Sequence, residues 1–437
     1  MTDAKEPVQS VDALRRFLEA GGRTREWHRV GLEHEKIGVL RDGRAPGYDV
    51  IGPLLEELAR AGQWTRIEEN GRIIALRRGQ ATVTLEPGGQ FEFSDAPQYT
   101  AADAARALDS HLAELTAPSL AAGVTWLASG FRPIGTIDDV PWMPKGRYAV
   151  MRSYLPTRGG RGLDMMKRTA TAQANLDWTD PAECAERVRA AMGVSSIVTA
   201  LWANSPVVDG KLTDWQSYRA ACWLDCDPDR CGLLPFVFDA DVQETLLHKY
   251  TNWALDVPMF FLYREGEYRS LGGLTFRRFL AEGASGEIAT LADWEVHLST
   301  LFPEVRLRPH VEVRSADAGT IGMVKALPAL YRGILDDAEA RAATWQLVAA
   351  WPMAERERLR REVPKTGLRT KSPSGAPLLD LARELVAIAR AGFVRLGEDP
   401  AQLAAVEEVA TTGVSPADRH HGAPMNLLTG EAFVPRP

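Results

Sequence analysis

Five short segments of the chain carry acidic or amide side chains at every second position, the spacing that places them on one face of a β-strand. In Gly31–Val39, Glu33 and Glu35 share a face with Ile37 and Val39. In Thr82–Glu86 the polar face is Thr82, Thr84 and Glu86. After the Pro87-Gly88-Gly89 turn, Gln90, Glu92 and Ser94 lie opposite Phe91 and Phe93. In Arg168–Asp177, Thr169, Thr171, Gln173, Asn175 and Asp177 oppose Ala170, Ala172, Ala174 and Leu176. In His310–Arg314, His310, Glu312 and Arg314 oppose Val311 and Val313. One polar face is what any half-solvated antiparallel strand shows. Together, however, these faces carry Glu33, Glu35, Glu86, Glu92 and Glu312 against a single Arg, and their Gln, Asn and His members hydrogen-bond without neutralising. Carboxylates gathered this way need cations among them. Hard oxygen donors suit Mg²⁺ or Mn²⁺, which keep several waters and bridge to substrate phosphates, so the pattern points to a nucleotide site holding more than one magnesium.

The complementary chemistry lies just before the fourth strand. Lys145, Arg147, Arg152, Arg158, Arg161, Lys167 and Arg168 follow one another in a glycine-rich stretch. Basic side chains there can hold phosphates and clamp a carboxylate, and cations on both sides of a phosphate stabilise phosphoryl transfer. Neither G-x-x-x-x-G-K-[ST] nor a G-x-G-x-x-G after a strand is present, which excludes the common nucleotide folds. No G-x-S-x-G elbow or Ser/Cys with a His partner supports nucleophilic catalysis, and the His34-Glu35-Lys36 triplet lacks the second histidine of a zinc protease. His420-His421 reads as the surface of a C-terminal tail.

The elements that must position these groups can be outlined. A helix is expected over 11–20, N-capped by Ser10 and stopped by Gly21-Gly22. Others fit 49–61, 101–122 and 181–202, the last opened by Asp180 and Pro181. From about residue 317 the pattern is almost wholly helical, with breaks at Pro352, Pro364 and Ser372-Pro373. The chain therefore reads as α+β: a single catalytic domain over 1–437, sheet-bearing over about 25–316, mainly helical over about 317–420, and ending in a short tail.

Composition narrows the class. With 437 residues, 45% hydrophobic content and a net charge of −7, the chain can bury a large core, which excludes disordered, collagenous and coiled-coil arrays. The mild acidity argues against a nucleic-acid partner. No apolar run is long enough to cross a membrane, and Met1–Ser10 is too polar for a signal peptide. Cys184, Cys222, Cys226 and Cys231 make no disulfide framework. The C-x3-C and C-x4-C spacings lack a fourth zinc ligand, so these are read as reduced cysteines in and beside a Trp-containing strand, in a cytoplasmic setting.

The segments GLEHEKIG, LEPGGQFEFSDAP, MPKGRYAVMRSYLP, GLDMMKRTATAQANLDW, ALWANSP, DRCGLLPFVFD, ALDVPMFFLYREGEY, LFPEVRLRPHVEVRSAD and VPKTGL, in this order from about residue 30 to 415, strongly resemble the plant-type glutamate–cysteine ligases, a family with many proteobacterial members. The resemblance implies a glutamine-synthetase-like fold: a curved, largely antiparallel β-sheet with helices on its convex face and a helical C-terminal region. It implies ATP-dependent joining of the L-glutamate γ-carboxylate to the L-cysteine amine through γ-glutamyl phosphate, giving γ-glutamylcysteine, in a monomer or homodimer. By position, it implies a metal shell of Glu33, Glu35, Glu86, Glu92, Gln173 and Glu312. Arg147, Arg152, Arg219 and Arg314 become catalytic clamps, of which the first three also bind substrate with Thr171 and Asn175. Lys145, Arg230 and Arg314 fall to the nucleotide, and the patch Met259 to Tyr263 to the cysteine pocket. The four cysteines do not match the regulatory disulfide pairs of plant members. Two alternatives share the fold: a sister ligase with another amine or a peptide-bound acceptor, and a binding protein without turnover.

Overall fold

The computed structural model describes residues 7, 8, 10–419 and 424–435; the pair His420-His421 lies outside them. Nine strands form one antiparallel sheet: β1 (Val30–Leu40), β2 (Thr65–Glu69), β3 (Arg72–Arg78), β4 (Ala81–Leu85), β5 (Phe91–Ser94), β6 (Val124–Leu127), β7 (Thr171–Leu176), β8 (Val305–Leu307) and β9 (Val311–Asp317). Their order is β8-β9-β7-β1-β5-β4-β3-β2, with β6 pairing the second half of β1. The alternation read from the sequence appears as burial: Ala81, Val83 and Leu85 are buried while Thr82 and Thr84 between them are half-buried. Phe91 and Phe93 go into the core beside His111, and Glu92 and Ser94 stay at the other face.

The apolar face of the sheet is covered by helices. Ile321–Leu335 lies against β7 and β1, Ala101–Ala122 against β1, and Ser195–Trp202 against β9. One hydrophobic cluster joins Leu32, Ala172, Ala174, Leu176, Val311 and Val313 of the sheet to Leu327, Leu330 and Ile334 of the late helices. Each fully buried Leu, Ile or Val there contributes about 1.5–3 kcal/mol.

Several boundaries differ from expectation for identifiable reasons. The helix expected over 181–202 divides into Pro181–Gly193 and Ser195–Trp202, because Val194 leaves helical geometry at φ −96°, ψ 4°. Arg168 belongs to the helix Gly162–Arg168, so the strand begins only at Thr171. His310 sits in the turn between β8 and β9 rather than on a strand. Pro364 does not break its helix: it lies in the last turn of Met353–Thr366, and the helix ends two residues later, followed by Gly367 (φ 55°). Cys222 and Trp223 lie on a helix, Tyr218–Leu224, not a strand.

At the start of Pro181–Gly193, Asp180 caps the helix by accepting from Glu183 N at 2.9 Å. Glu183 accepts 3.0 Å from the wholly buried Arg187, which also pairs with Asp336, while Arg341 binds Glu183 and Glu186. Burial works against the Glu183 charge, but Arg187 and Thr179 outweigh it and hold the carboxyl at about 2. Its folded pKa lies below the ordinary 4.5, so its stabilisation is complete above that pH and is lost as pH falls toward 2. Urea unfolding at a series of pH values should show this loss in the native protein, and a flatter profile over pH 2–4.5 in Glu183→Gln. Parallel profiles would remove Glu183 from the account.

Candidate functional site

The strand order brings the acidic and amide positions side by side on β4, β5, β1, β7 and β9, five consecutive strands, of which β7 supplies the amides. Glu35 is directly opposite Glu92, Glu33 opposite Gln173, and Glu312 opposite Asn175. Glu86 stands at the end of β4 in the tight turn to β5, closed by Glu86 N to Gln90 O (2.9 Å) and Gly89 N to Glu86 O (2.9 Å). This turn requires glycine. A Cβ on Gly88 would lie 2.0 Å from the Lys167 carbonyl oxygen, and Gly89 adopts φ +81°. The buried Gln90 locks the same turn by donating to the Met166 and Thr169 carbonyls. Thus the turn and the helix that ends at Arg168 fix one another.

Electrostatics on this face are unbalanced. Burial, then Glu92 and Glu86, pushes Glu35 well above the carboxylate range. Burial, then Glu312 and Glu92, raises Glu33, and burial, then Glu92, raises Glu86, which Lys145 and Arg147 partly counter. Like charges directly opposite across two strands destabilise a sheet. Hydrogen bonds relieve part of this: Glu33 accepts from Asn175 Nδ2 (2.7 Å) and Gln173 Nε2 (3.0 Å), Glu35 from Thr171 N (2.9 Å), and Glu92 from Thr84 Oγ1 (2.6 Å). Glu312 differs. It is fully buried and paired with Arg306 and Arg314, which, against the effect of burial, hold it at about 2.

Among the described residues, no three or more His, Cys, Asp or Glu side chains close into a ready-made metal cage. The carboxylates form a row across the strands, with Glu33 turned to amides and Glu312 to arginines. The donor set nevertheless fits a hard cation: every candidate ligand is an oxygen, Glu35 and Glu92 face each other, and among the described residues the buried Asn175 Oδ1 has no hydrogen-bond partner.

A cavity of about 550 Å³, counted with its open mouth, begins at Glu35 and Glu86. Arg147, Thr171, Arg219 and Arg314 supply its polar wall; Met151, Met165, Met166, Trp223 and Phe302 supply the apolar one. Arg147 Nε is buried without a protein partner, as is Trp223 Nε1. Arg219 Nη2 donates to the Arg314 carbonyl (2.9 Å), and Arg314 Nη1 to Gln173 Oε1 (2.7 Å). A second cavity lies behind the shared wall of Arg219, Trp223, Phe302 and Arg314, closed by Glu304, Arg360, Ser196 and Thr199.

The structure thus brings together Glu33, Glu35, Glu86, Glu92, Thr171, Gln173, Asn175, Glu312, Arg314, Arg147 and Arg219, with Lys145 close to Glu86. It does not bring in Arg152 or Arg230. Arg152 is exposed and lies over the Trp142 ring. Arg230 is wholly buried, and its donors are taken by Asp227, the Thr300 carbonyl and the Pro258 carbonyl, over the Phe260 ring. The Met259–Tyr263 patch is likewise elsewhere: Met259 and Phe260 are core, and Phe261–Arg264 forms a small hairpin with Glu267–Ser270. The apolar wall of the cavity is formed instead by Met151, Met165, Met166, Trp223 and Phe302. Arg306 was also missed, although Val305-Arg306-Leu307 before a Pro309 turn is a readable strand whose middle side chain must face Glu312.

An antiparallel sheet with one acidic face, arginines at its end and helices on its back defines a glutamine-synthetase-like ligase fold. The crystal structure of glutamate–cysteine ligase from Francisella tularensis in complex with AMP shares it, with a TM-score of 0.55 at 13% identity, covering 90% of this chain and 84% of that one. The model of glutamate–cysteine ligase family 2 matches residues 29–424, and the chain belongs to that family. It is similar to the chloroplastic glutamate–cysteine ligases of Brassica juncea (42% identical over 420 residues, 95% of this chain and 81% of that one) and Arabidopsis thaliana (42% over 421 residues, 95% and 80%).

Proposed function

We propose that the protein is an ATP-dependent glutamate–cysteine ligase: ATP + L-glutamate + L-cysteine → γ-glutamylcysteine + ADP + phosphate. The family supports the reaction, and the observation that carries it is the junction of an acidic strand face with an arginine-walled cavity in one site. A γ-carboxylate oxygen attacks the terminal phosphorus of ATP, and ADP leaves. The cysteine amine then adds to the acyl carbon, loses a proton, and expels phosphate. Because phosphorylation supplies the leaving group, no protein nucleophile is needed. In keeping with this, Cys222 and Cys226 are buried with their thiols pushed up, by burial at Cys222 and chiefly by the hydrogen bond with Cys231 at Cys226.

Catalysis then consists of positioning and charge neutralisation. Arg147, Arg219 and Arg314 hold the carboxylate and phosphate groups of the substrates at the cavity wall. The Met151, Met165, Met166, Trp223 and Phe302 side keeps water from the acyl phosphate. Glu33, Glu35, Glu86 and Glu92, with Gln173 and Asn175, would hold Mg²⁺ or Mn²⁺, which when bound neutralises phosphate charge. Glu312 joins that set through the two arginines it fixes. The continuous core from sheet to late helices supports one catalytic unit. Four unpaired cysteines, none of them exposed, and no helix among the described residues long and apolar enough to cross a membrane are consistent with a cytoplasmic setting.

Purified protein with ATP, Mg²⁺ and glutamate, offered a panel of amines, tests this reading through ADP release and product mass. Cysteine-dependent release with γ-glutamylcysteine as product is expected. Release with a different amine alone would replace it with a sister ligase, and no release with any amine would leave a binding protein.

A further inference from the structure

Asp317 lies at the end of β9, just past a bulge. Val313 pairs with Ala174, but Ala316, three residues on, pairs with Ala172, only two residues on. The extra residue flips the alternation, so Asp317 pairs with Thr171 and faces the same side as Gln173 and Asn175. Without the bulge its carboxylate would point into the apolar helical layer. It is 1% exposed, and its side chain is pressed against Gly130, where a Cβ would come within 2.5 Å.

Two of the three hydrogen bonds to that carboxylate lead toward Arg219. Oδ2 accepts from Ser205 Oγ (2.6 Å) and Asn204 N (2.9 Å), and Oδ1 from Ser217 Oγ (2.7 Å). Ser205 Oγ in turn accepts from Arg219 N (3.1 Å). Ser217 is the N-cap of Tyr218–Leu224, the helix that carries both Arg219 and Trp223, and accepts from Ala220 N (3.0 Å). The Arg219 guanidinium lies 3.9 Å from Oδ1. Asp317 therefore grips the backbone of Arg219 through Ser205, its helix through Ser217, and its guanidinium by charge. It touches no part of the cavity itself.

We infer that Asp317 is a positioning residue for the ligase reaction, acting through Arg219, with Ser205 and Ser217 as its two relays. This rests on the proposed reading of the site. It also gives a purpose to Asn204-Ser205 and to the Ser315-Ala316-Asp317 end of β9, which the reaction chemistry leaves unused.

The test is a double-mutant cycle of Asp317→Asn and Arg219→Lys in the full-length protein, with steady-state kinetics for each substrate. Loss of one charge-assisted contact predicts about a tenfold fall in kcat/KM for Asp317→Asn. Both single variants should change KM for the same substrate, and the double variant should be no worse than Arg219→Lys alone. A residue that merely supports the fold would give multiplied losses, spread over all substrates and following the melting temperature; that outcome overturns the inference. If Asp317→Asn does not fold, Ser205→Ala enters the same cycle with the same two readings. Should the native protein show no ligase activity, the proposed function falls first. The inference is then decided by a crystal structure of the variant: an Arg219 guanidinium displaced from the Arg314 carbonyl supports it, and one left in place overturns it.

Discussion

Glu35→Gln is expected to leave the protein folded and to lower turnover by about 10²–10³-fold, the scale of losing a preorganised charge partner in a closed site. The two effects have one origin. Glu35 faces Glu92 across β1 and β5, and burial together with Glu92 and Glu86 already disfavours its charge. In metal-free protein the amide removes a cross-strand repulsion while keeping the shape, so the unfolding free energy should stay level or rise by about 0.2–1 kcal/mol. Under the proposed function the same change would remove an oxygen ligand of the bound cation. Urea unfolding in the presence of a chelator and ADP release with saturating Mg²⁺ and substrates measure the two sides separately. A near-native rate would take Glu35 out of the metal set; a large loss of metal-free stability would show that its charge is compensated by a group other than a cation.

What could be read ahead of the structure followed from periodicity. The period of two put Glu33 with Glu35, Glu92 with Ser94, and Gln173 with Asn175, and each pair shares a face. Periodicity acts within a strand, however, and says nothing about which strands are neighbours. That Glu35 meets Glu92 and that Glu312 meets Asn175 are facts of sheet order, and the family resemblance supplied the fold that implies them. Arginine was the least legible residue type. Its charge marks it for a phosphate or carboxylate in any basic stretch, yet its long side chain can equally be consumed by backbone carbonyls. Each of the three Arg230 nitrogens donates to Asp227, Thr300 or Pro258, and Arg152 stays outside over Trp142, whereas Arg147 keeps a buried donor free beside the cavity. The apolar wall was misplaced for a related reason. Met259 and Phe260 have the composition of a pocket but lie in the core, whereas Met165, Met166 and Phe302, more scattered in sequence, line the cavity together.

The acidic face consequently divides into two electrostatic regions. Around Glu35, Glu86 and Glu92, burial and mutual repulsion disfavour the charged forms of Glu35 and Glu86, with Lys145, Arg147 and Arg219 offsetting only part of it. Around Glu312, arginines from β8 and β9 supply the compensating charge. This division predicts that carboxylates of the same type on the same sheet face respond in opposite ways to the same substitution.

Glu312→Gln should accordingly be as inactive as Glu35→Gln but markedly unstable. Glu312 is 0% exposed, with Arg306 Nε at 3.0 Å and Arg314 on its other oxygen. An amide can accept from only one side and presents N–H groups to the other guanidinium, which leaves a buried charge uncompensated. Breaking a buried pair by removing one partner costs about 3–5 kcal/mol. The urea midpoint should fall by the corresponding amount, in contrast to Glu35→Gln. Removing both partners is a different matter, since the penalty comes from the stranded charge. Adding Arg306→Met to Glu312→Gln should restore much of the stability, because Arg314 keeps Gln173 Oε1 as an acceptor. Turnover should stay absent in the double variant, since Arg314 has lost the carboxylate that aims it into the cavity. Recovered turnover together with recovered stability would mean that Glu312 serves the fold alone and that Arg314 is positioned by Gln173.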